Sequence, residues 1–291
     1  MPIRDQQTVR LSAVAGTFFE GDALALRRRL AETESKLSSI SSNAEDVKGI
    51  IVPHAGYIFS LQTAMAAFAP LKQRSISQVI LLGTSHYVGF RGIALSNYTV
   101  WRTPFGDLST ALKLIDELKK SQNPLVTFRD DAHEHEHSIE VQLPLIQYFF
   151  DNPEILPITV GSLSMQDVNS LAEIVATLDA PGTLWVISSD FTHYGTRFRY
   201  TPFTENVAEQ LKAQDHTAAK LICQRNLSGF AEFLAQTGAT ICGTNPIALW
   251  LGILDRLDPE QTITGTIVAE SNSGELTGDY SNAVGYEAIS F

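Results

Sequence analysis

Four short apolar runs, each ended by turn-forming or polar residues, stand out along the 291-residue chain: Gly49-Ile-Ile-Val-Pro53, Gln78-Val-Ile-Leu-Leu-Gly83, Ile155-Leu-Pro-Ile-Thr-Val160 and Thr183-Leu-Trp-Val-Ile-Ser188. Runs without polar alternation have both faces buried, which predicts strands inside a parallel or mixed sheet. Between them, apolar residues recur at helical spacing, first at Leu108, Ala111, Leu112, Ile115 and Leu118, then at Val168, Leu171, Ile174, Val175 and Leu178. Further helices are predicted over Asp22 to Glu34, Glu205 to Gln224 and Ile247 to Leu257, the last opened by Asn245-Pro246. Strands alternating with helices predict an α/β layered fold. Thr262 to Glu270 and Ala283 to Ser290 read as later strands joined by a loop or hairpin over the Gly- and Ser-rich Ser271 to Ser281, and the Ser-rich patch Ser35 to Ser42 reads as a surface loop. No repeat and no linker-like change of composition interrupts the chain, so one domain over residues 1–291 is expected.

Composition adds what the chain can bury and what it avoids. With 44% hydrophobic and 18% charged residues it can form a large core. A net charge of -11 argues against nucleic-acid partners, which need clustered Lys and Arg. The one dense basic run, Arg27-Arg28-Arg29, falls on a predicted helix and reads as a solvated face. No apolar run approaches the roughly 20 residues that cross a bilayer, and Met1-Pro2-Ile3-Arg4-Asp5 lacks a signal-peptide core, so no membrane partner and a cytoplasmic location are expected. In that reducing setting Cys223 and Cys242 are expected to be free thiols.

The residues with chemistry stand just beyond the carboxyl ends of predicted strands, the edge at which open α/β sheets bind ligands. The first run leads into His54-Ala-Gly-Tyr57, the second into Thr84-Ser85-His86, the fourth into Ser189-Asp190-Phe191-Thr192-His193. Alone, His54 or His86 reads as a hydrogen-bonded turn histidine. On adjacent strand ends the two can converge on one metal, and imidazole suits iron, copper, zinc and nickel alike. Asp190 and His193 face the same way if a helical turn begins there, and Ser188-Ser189-Asp190 reads equally as a helix N-cap. Cys242 precedes a helix start, where the dipole favours a thiolate, whereas Cys223, inside a predicted amphipathic helix, reads as a packed thiol. The run Asp130 to Glu140 would put His133, His135 and His137 on one face of a strand, but a helix follows it. His133 and His135 are therefore assigned to a solvated loop, and His137 and Glu140, with Tyr57, to the lining of a pocket.

The motifs Pro53-His54-Ala-Gly-Tyr57, Gly83-Thr-Ser85-His86, Glu136-His137-Ser-Ile-Glu140, Ser188-Ser-Asp190-Phe-Thr-His193-Tyr-Gly195 and Cys242-Gly243 before Pro246 resemble, in this order, those of the Memo family. The resemblance extends from Ala15-Gly16-Thr17-Phe18-Phe19 to Tyr280-Ser-Asn-Ala-Val-Gly-Tyr286. It implies a three-layer α/β/α sandwich with a mostly parallel or mixed sheet, similar to class III extradiol dioxygenases, the non-haem iron enzymes that open catechol rings. It implies that His54 and His86 match two histidine metal ligands, that His193 matches the dioxygenase acid/base histidine, and that Cys242 stands where Memo proteins place a cysteine. Dioxygenases complete a two-histidine, one-carboxylate triad; here the third ligand would be a thiolate, with Asp190 available as a fourth. A soft thiolate favours copper(I), zinc or thiolate-bound iron and is itself oxidisable. The resemblance also implies a pathway link to radical SAM and AMMECR-type proteins.

The function expected on these grounds is that of a metal-dependent redox protein. His54, His86 and Cys242 would bind iron or copper, with zinc also admissible, Asp190 would assist, and His193 would transfer protons. The alternative is a non-catalytic module that binds a peptide or small-molecule ligand on a vestigial dioxygenase scaffold. A third reading is a working extradiol dioxygenase with Asp190 or Glu140 as the carboxylate ligand.

Overall fold

The four apolar runs form the strands Gly49–Val52, Gln78–Thr84, Glu154–Val160 and Thr183–Ser188 of one mixed sheet. This is a computed structural model in which residues 7–37 and 46–291 are described; the N-terminal Met1 to Asp5 and most of the Ser35 to Ser42 patch lie outside the described residues. The four strands run parallel, in the spatial order Gly49–Val52, Thr183–Ser188, Gln78–Thr84, Glu154–Val160. Ile93–Leu95 and Val126–Phe128 extend the sheet beyond the last of them, and Asn282–Ser290, antiparallel to Gly49–Val52, extends it on the other side. A small separate sheet joins Val9–Arg10, Val100–Thr103 and Gly106–Ser109.

Alternation along buried strands sends successive side chains to opposite faces, and two cores result. Ile51, Ile80, Leu82 and Ile187 pack on one face against the helices Leu112–Lys120, Met165–Val175, Val207–Cys223 and Thr244–Leu257. Ile50, Val52, Val79, Leu81 and Val186 pack on the other against Ala23–Glu34, Tyr57–Phe68 and Leu143–Phe149. Helices on both faces of a mixed sheet make the three-layer α/β/α arrangement. Burying each of these aliphatic side chains contributes about 1.5–3 kcal/mol relative to exposure. Among the described residues no helix is long and apolar enough to cross a membrane.

Several local expectations change. The helix expected from Leu108 begins at Leu112, because Leu108 belongs to the strand Gly106–Ser109. The Gly- and Ser-rich connection after Ser271 contains a short helix, Ser273–Thr277, whose cap Asn272 accepts from the Glu275 N–H at 2.9 Å. His133 is not in a solvated loop. It sits on the helix Asp131–Glu134, fully buried, with Nε2 3.0 Å from the Ala94 carbonyl and Nδ1 3.1 Å from Thr159 Oγ1. Both ring nitrogens are satisfied, which lets a histidine enter a core, and burial pushes its pKa down to about 4. His135 is exposed, as expected.

The helix His137–Glu140 leans directly on Gly83. A Cβ there would lie 2.5 Å from Ile139 Cγ1 and 2.6 Å from Ser138 Oγ. Overpacking of this kind costs about 1–3 kcal/mol. The Gly83→Ala variant is therefore expected to unfold at lower urea concentration with an unchanged slope; an unaltered midpoint would contradict this close approach.

Candidate metal centre

Register decides which strand ends meet. Val52 lies opposite Ser188, and Leu82 opposite Ile187, so three neighbouring parallel strands stop nearly level. His54, His86 and Asp190 all leave from that edge within two residues of a strand's end. His137 arrives from the helix His137–Glu140, which Ser138 ties to the same edge by donating its hydroxyl to the Thr84 carbonyl at 2.9 Å.

His54, His86 and His137 each offer a ring nitrogen, and these atoms lie within 4.8 Å of one another. Ring centroids are 5.1 Å apart for His54 and His86, 5.4 Å for His54 and His137, and 4.4 Å for His86 and His137. His54 is buried, His137 partly so, and His86 exposed, so the group runs from the floor of the site to its mouth. Burial and the neighbouring imidazoles push His54 well below its ordinary pKa and His137 down to about 3, which keeps both neutral, the form that ligates metal.

Hydrogen bonds assign the ring nitrogens. Ser188 spends its hydroxyl hydrogen on the Ser138 carbonyl and accepts from Gln142 Nε2 at 2.9 Å. His54 Nδ1, 3.0 Å from Ser188 Oγ, is therefore the donor, and Nε2 carries the lone pair. Glu136 repeats the logic for His86: Oε1 accepts from Nδ1 at 2.8 Å while Oε2 accepts from the His86 backbone N–H at 2.7 Å, leaving Nε2 free. Burial alone would raise the Glu136 carboxyl, but bonds from His86 and Ser138 outweigh it and hold it down to about 2. A carboxylate behind a histidine is the usual outer partner of a metal ligand.

Cys242 stands beside this group, with Sγ 3.2 Å from His54 Nε2. Its turn docks through the Gly243 N–H on Ser189 Oγ at 3.0 Å, where a Cβ on Gly243 would lie 2.2 Å from Ser189 Cβ. A metal held by nitrogen at about 2.05 Å and sulfur at about 2.3 Å in tetrahedral geometry separates the two by roughly 3.5 Å, a few tenths more than is found here. Among the described residues the donors that converge are the three imidazoles, with the Cys242 sulfur beside the innermost of them. The thiolate expected from the helix terminus does not hold in this structure: desolvation first, then the charge of Asp190, pushes the thiol well above its ordinary pKa. Cys223 is a packed thiol, raised by burial to about 12.

No helical turn follows Ser188. Asp190 lies in an irregular stretch, and His193 opens a short strand, His193–Gly195, paired with Asn282–Ser290. Asp190 does cap backbone, but of another segment: Oδ1 accepts from the His54 N–H at 2.7 Å and the Ala55 N–H at 3.1 Å. Burial raises its pKa. His193 Nδ1 lies 3.0 Å from the Phe191 carbonyl and 3.1 Å from that of Thr240, so Nδ1 donates and Nε2 is left as a base. Tyr57 and Glu140 direct their polar atoms elsewhere. The Tyr57 hydroxyl donates to the Val141 carbonyl at 2.8 Å. Glu140 pairs with Arg10 and accepts from Ser12 Oγ and from the Ala13 and Val14 N–H groups at 2.9 and 3.1 Å. It fastens the segment that lays Phe18 against His137, ring centroids 4.8 Å apart.

Glu136, Ser188 and Gln142 escaped the sequence reading as functional residues. For Glu136 a signal existed, since it alternates with His135 and His137, but only the fold shows which imidazole it supports.

A family model described as Memo-like protein matches residues 10–290. The chain belongs to the Memo family. Similar curated members include a memo-1 homolog of Caenorhabditis elegans, 31% identical and covering 95% of this chain and 81% of that one. A Memo-family protein of Methanosarcina acetivorans is 33% identical and covers 97% and 98%. Among solved structures, an uncharacterised protein of Escherichia coli K12 superposes with a TM-score of 0.55 over 84% of this chain and 99% of that one; at 12% identity it speaks for the fold alone.

Glu140→Ala in this Memo-family protein would leave Arg10, 2% exposed, without its counter-charge. Removing one partner of a buried pair costs about 3–5 kcal/mol. Denaturant unfolding should show that loss, and hydrogen exchange should show reduced protection at Ala13 and Val14; protection equal to the parent would argue against this fastening.

Proposed function

We propose that the protein binds one transition-metal ion between His54, His86 and Cys242, with His137 as an adjacent donor, and serves a redox role. The observation that carries this reading is the fixed orientation of two imidazoles: Ser188 and Glu136 each occupy an Nδ1, which leaves both Nε2 lone pairs for a ligand, that of His54 directed at the Cys242 sulfur 3.2 Å away. Iron or copper bound there would supply one-electron chemistry, whereas zinc would supply Lewis acidity. The thiol proton of Cys242 must leave when sulfur ligates. His193, with Nε2 as a base, is suited to take or return a proton, and Asp190 keeps the His54 turn in place. Glu140 is not free to complete a dioxygenase triad, because its oxygens are engaged by Arg10 and by residues 12–14.

Elemental analysis of protein purified without chelator tests the reading. About one iron or copper per chain is expected, with most of it lost in His54→Ala or His86→Ala. Glu136→Gln should weaken binding about 10–100-fold. Cys242→Ser should retain a weaker site that no longer prefers copper(I). A metal-free protein that also rejects added iron, copper and zinc would end the proposal.

A further inference from the structure

One margin of the main sheet is unpartnered. Thr266–Asn272 pairs with Asn282–Ser290 along one side, and among the described residues no strand pairs with its other side. Such an edge presents a row of backbone N–H and C=O groups to any extended chain. A bulge at Val268 interrupts the strand, so the regular edge is short and the side chains beside it must contribute to any docking.

A cleft of about 440 Å³ follows this edge, between the strand and the helix Tyr57–Phe68. Asn282–Ser290 is antiparallel to both Gly49–Val52 and Thr266–Asn272, so those two run the same way and the helix that returns from Gly49–Val52 runs against them. Thr63 Oγ1 meets Ser271 Oγ at 2.6 Å, which sets Phe59, a turn earlier, towards the far end of the strand with Glu275 and Leu276. Lys36 and Leu37 line the opposite end, because Glu34 just before them is tied at 2.6 Å to Lys72, beyond the end of the helix. The cleft therefore has an acidic end and a basic end, each with apolar surface. Phe59 is 36% and Leu276 58% exposed. Lys36 and Glu275 are both exposed, and neither is in an ion pair among the described residues.

We propose that this edge is the interface of a homodimer, in which Thr266–Asn272 lies antiparallel to the same strand of a second copy. A two-fold axis perpendicular to the sheet reverses the strand and keeps the Tyr57–Phe68 helices of both copies on one face. Each end of one cleft then meets the opposite end of the other. Lys36 faces Glu275 of the partner subunit, and Leu37 faces the partner's Leu276, and by symmetry both contacts occur twice. Each copy carries a net charge of -11, so most faces repel a second copy. This face sets opposite signs against each other instead. A peptide of one sign would match only one end of the cleft, whereas a second copy matches both.

Sedimentation equilibrium of the full chain over a range of concentrations tests the assignment. The mass is expected to rise towards that of two chains, with a dissociation constant on the order of micromolar. Amide hydrogen exchange over residues 266–272 should slow as the dimer forms. Lys36→Glu and Glu275→Lys each set like charges together at both contacts and should weaken the dimer about tenfold or more. The variant carrying both changes restores opposite charges with the signs exchanged and should regain the dimer. Both side chains are exposed, so the variants should melt as the parent does at concentrations where all are monomeric. A chain that stays monomeric at every concentration would overturn the proposal and leave the edge to an extended peptide. A dimer indifferent to either single change, or a double variant no tighter than the single ones, would overturn it in favour of another face.

Discussion

The central strands Gly49–Val52, Gln78–Thr84 and Thr183–Ser188, buried on both faces, carry no charged side chain, and that constraint arranges the rest of the molecule. Ile50 to Val52, Val79 to Leu82 and Leu184 to Ile187 are all fully buried. Polar chemistry is therefore displaced to where the strands stop, and parallel register makes them stop together. His54, His86 and Asp190 converge because each is among the first polar groups the chain can afford after leaving the sheet.

Convergence alone would leave three flexible turns, and buried carboxylates stiffen them. Asp190 accepts two N–H groups from the turn that carries His54, Glu136 accepts the His86 N–H, and Glu140 accepts N–H groups from the segment that carries Phe18. A buried carboxylate without partners is costly, whereas one held by backbone N–H groups and a counter-charge can be retained. The same comparison explains why the helix-terminal position of Cys242 does not make it a thiolate on its own. A helix dipole contributes about 0.3–1 kcal/mol, and withdrawing a charge from water beside another carboxylate costs more.

The central strands were legible because an unbroken apolar run of four to seven residues has few other homes, and His54 and His86 were legible because they follow such runs. The segment from His133 to His137 was not, because three histidines alternating with glutamates carry no mark of which one faces the core. His133 proved to be the buried one, satisfied by Ala94 and Thr159, residues near it only once the sheet has formed. Asp190 reads as a helix N-cap, but no helix follows it; its carboxylate instead accepts from backbone 136 residues away, beyond any local pattern.

Distance in sequence also accounts for the Arg10 and Glu140 pair, 130 residues apart. The hydrogen bonds of the pair go to other groups than the three imidazoles, yet they tie down segments that carry or cover them. Arg10 donates to the His133 and Glu136 carbonyls, at 3.1 and 2.9 Å, and so joins the N-terminal strand to the segment that leads into His137. The Tyr57 N–H donates to the Phe18 carbonyl at 2.7 Å, which ties the same N-terminal segment to the helix that follows His54. One strap thus links the supports of two histidines, His54 beyond a strand end and His137 at the start of a helix. Its position fixes His54 and His137 relative to each other, so the separation of the donor atoms is set by a buried ion pair outside the donor group as much as by the sheet beneath it.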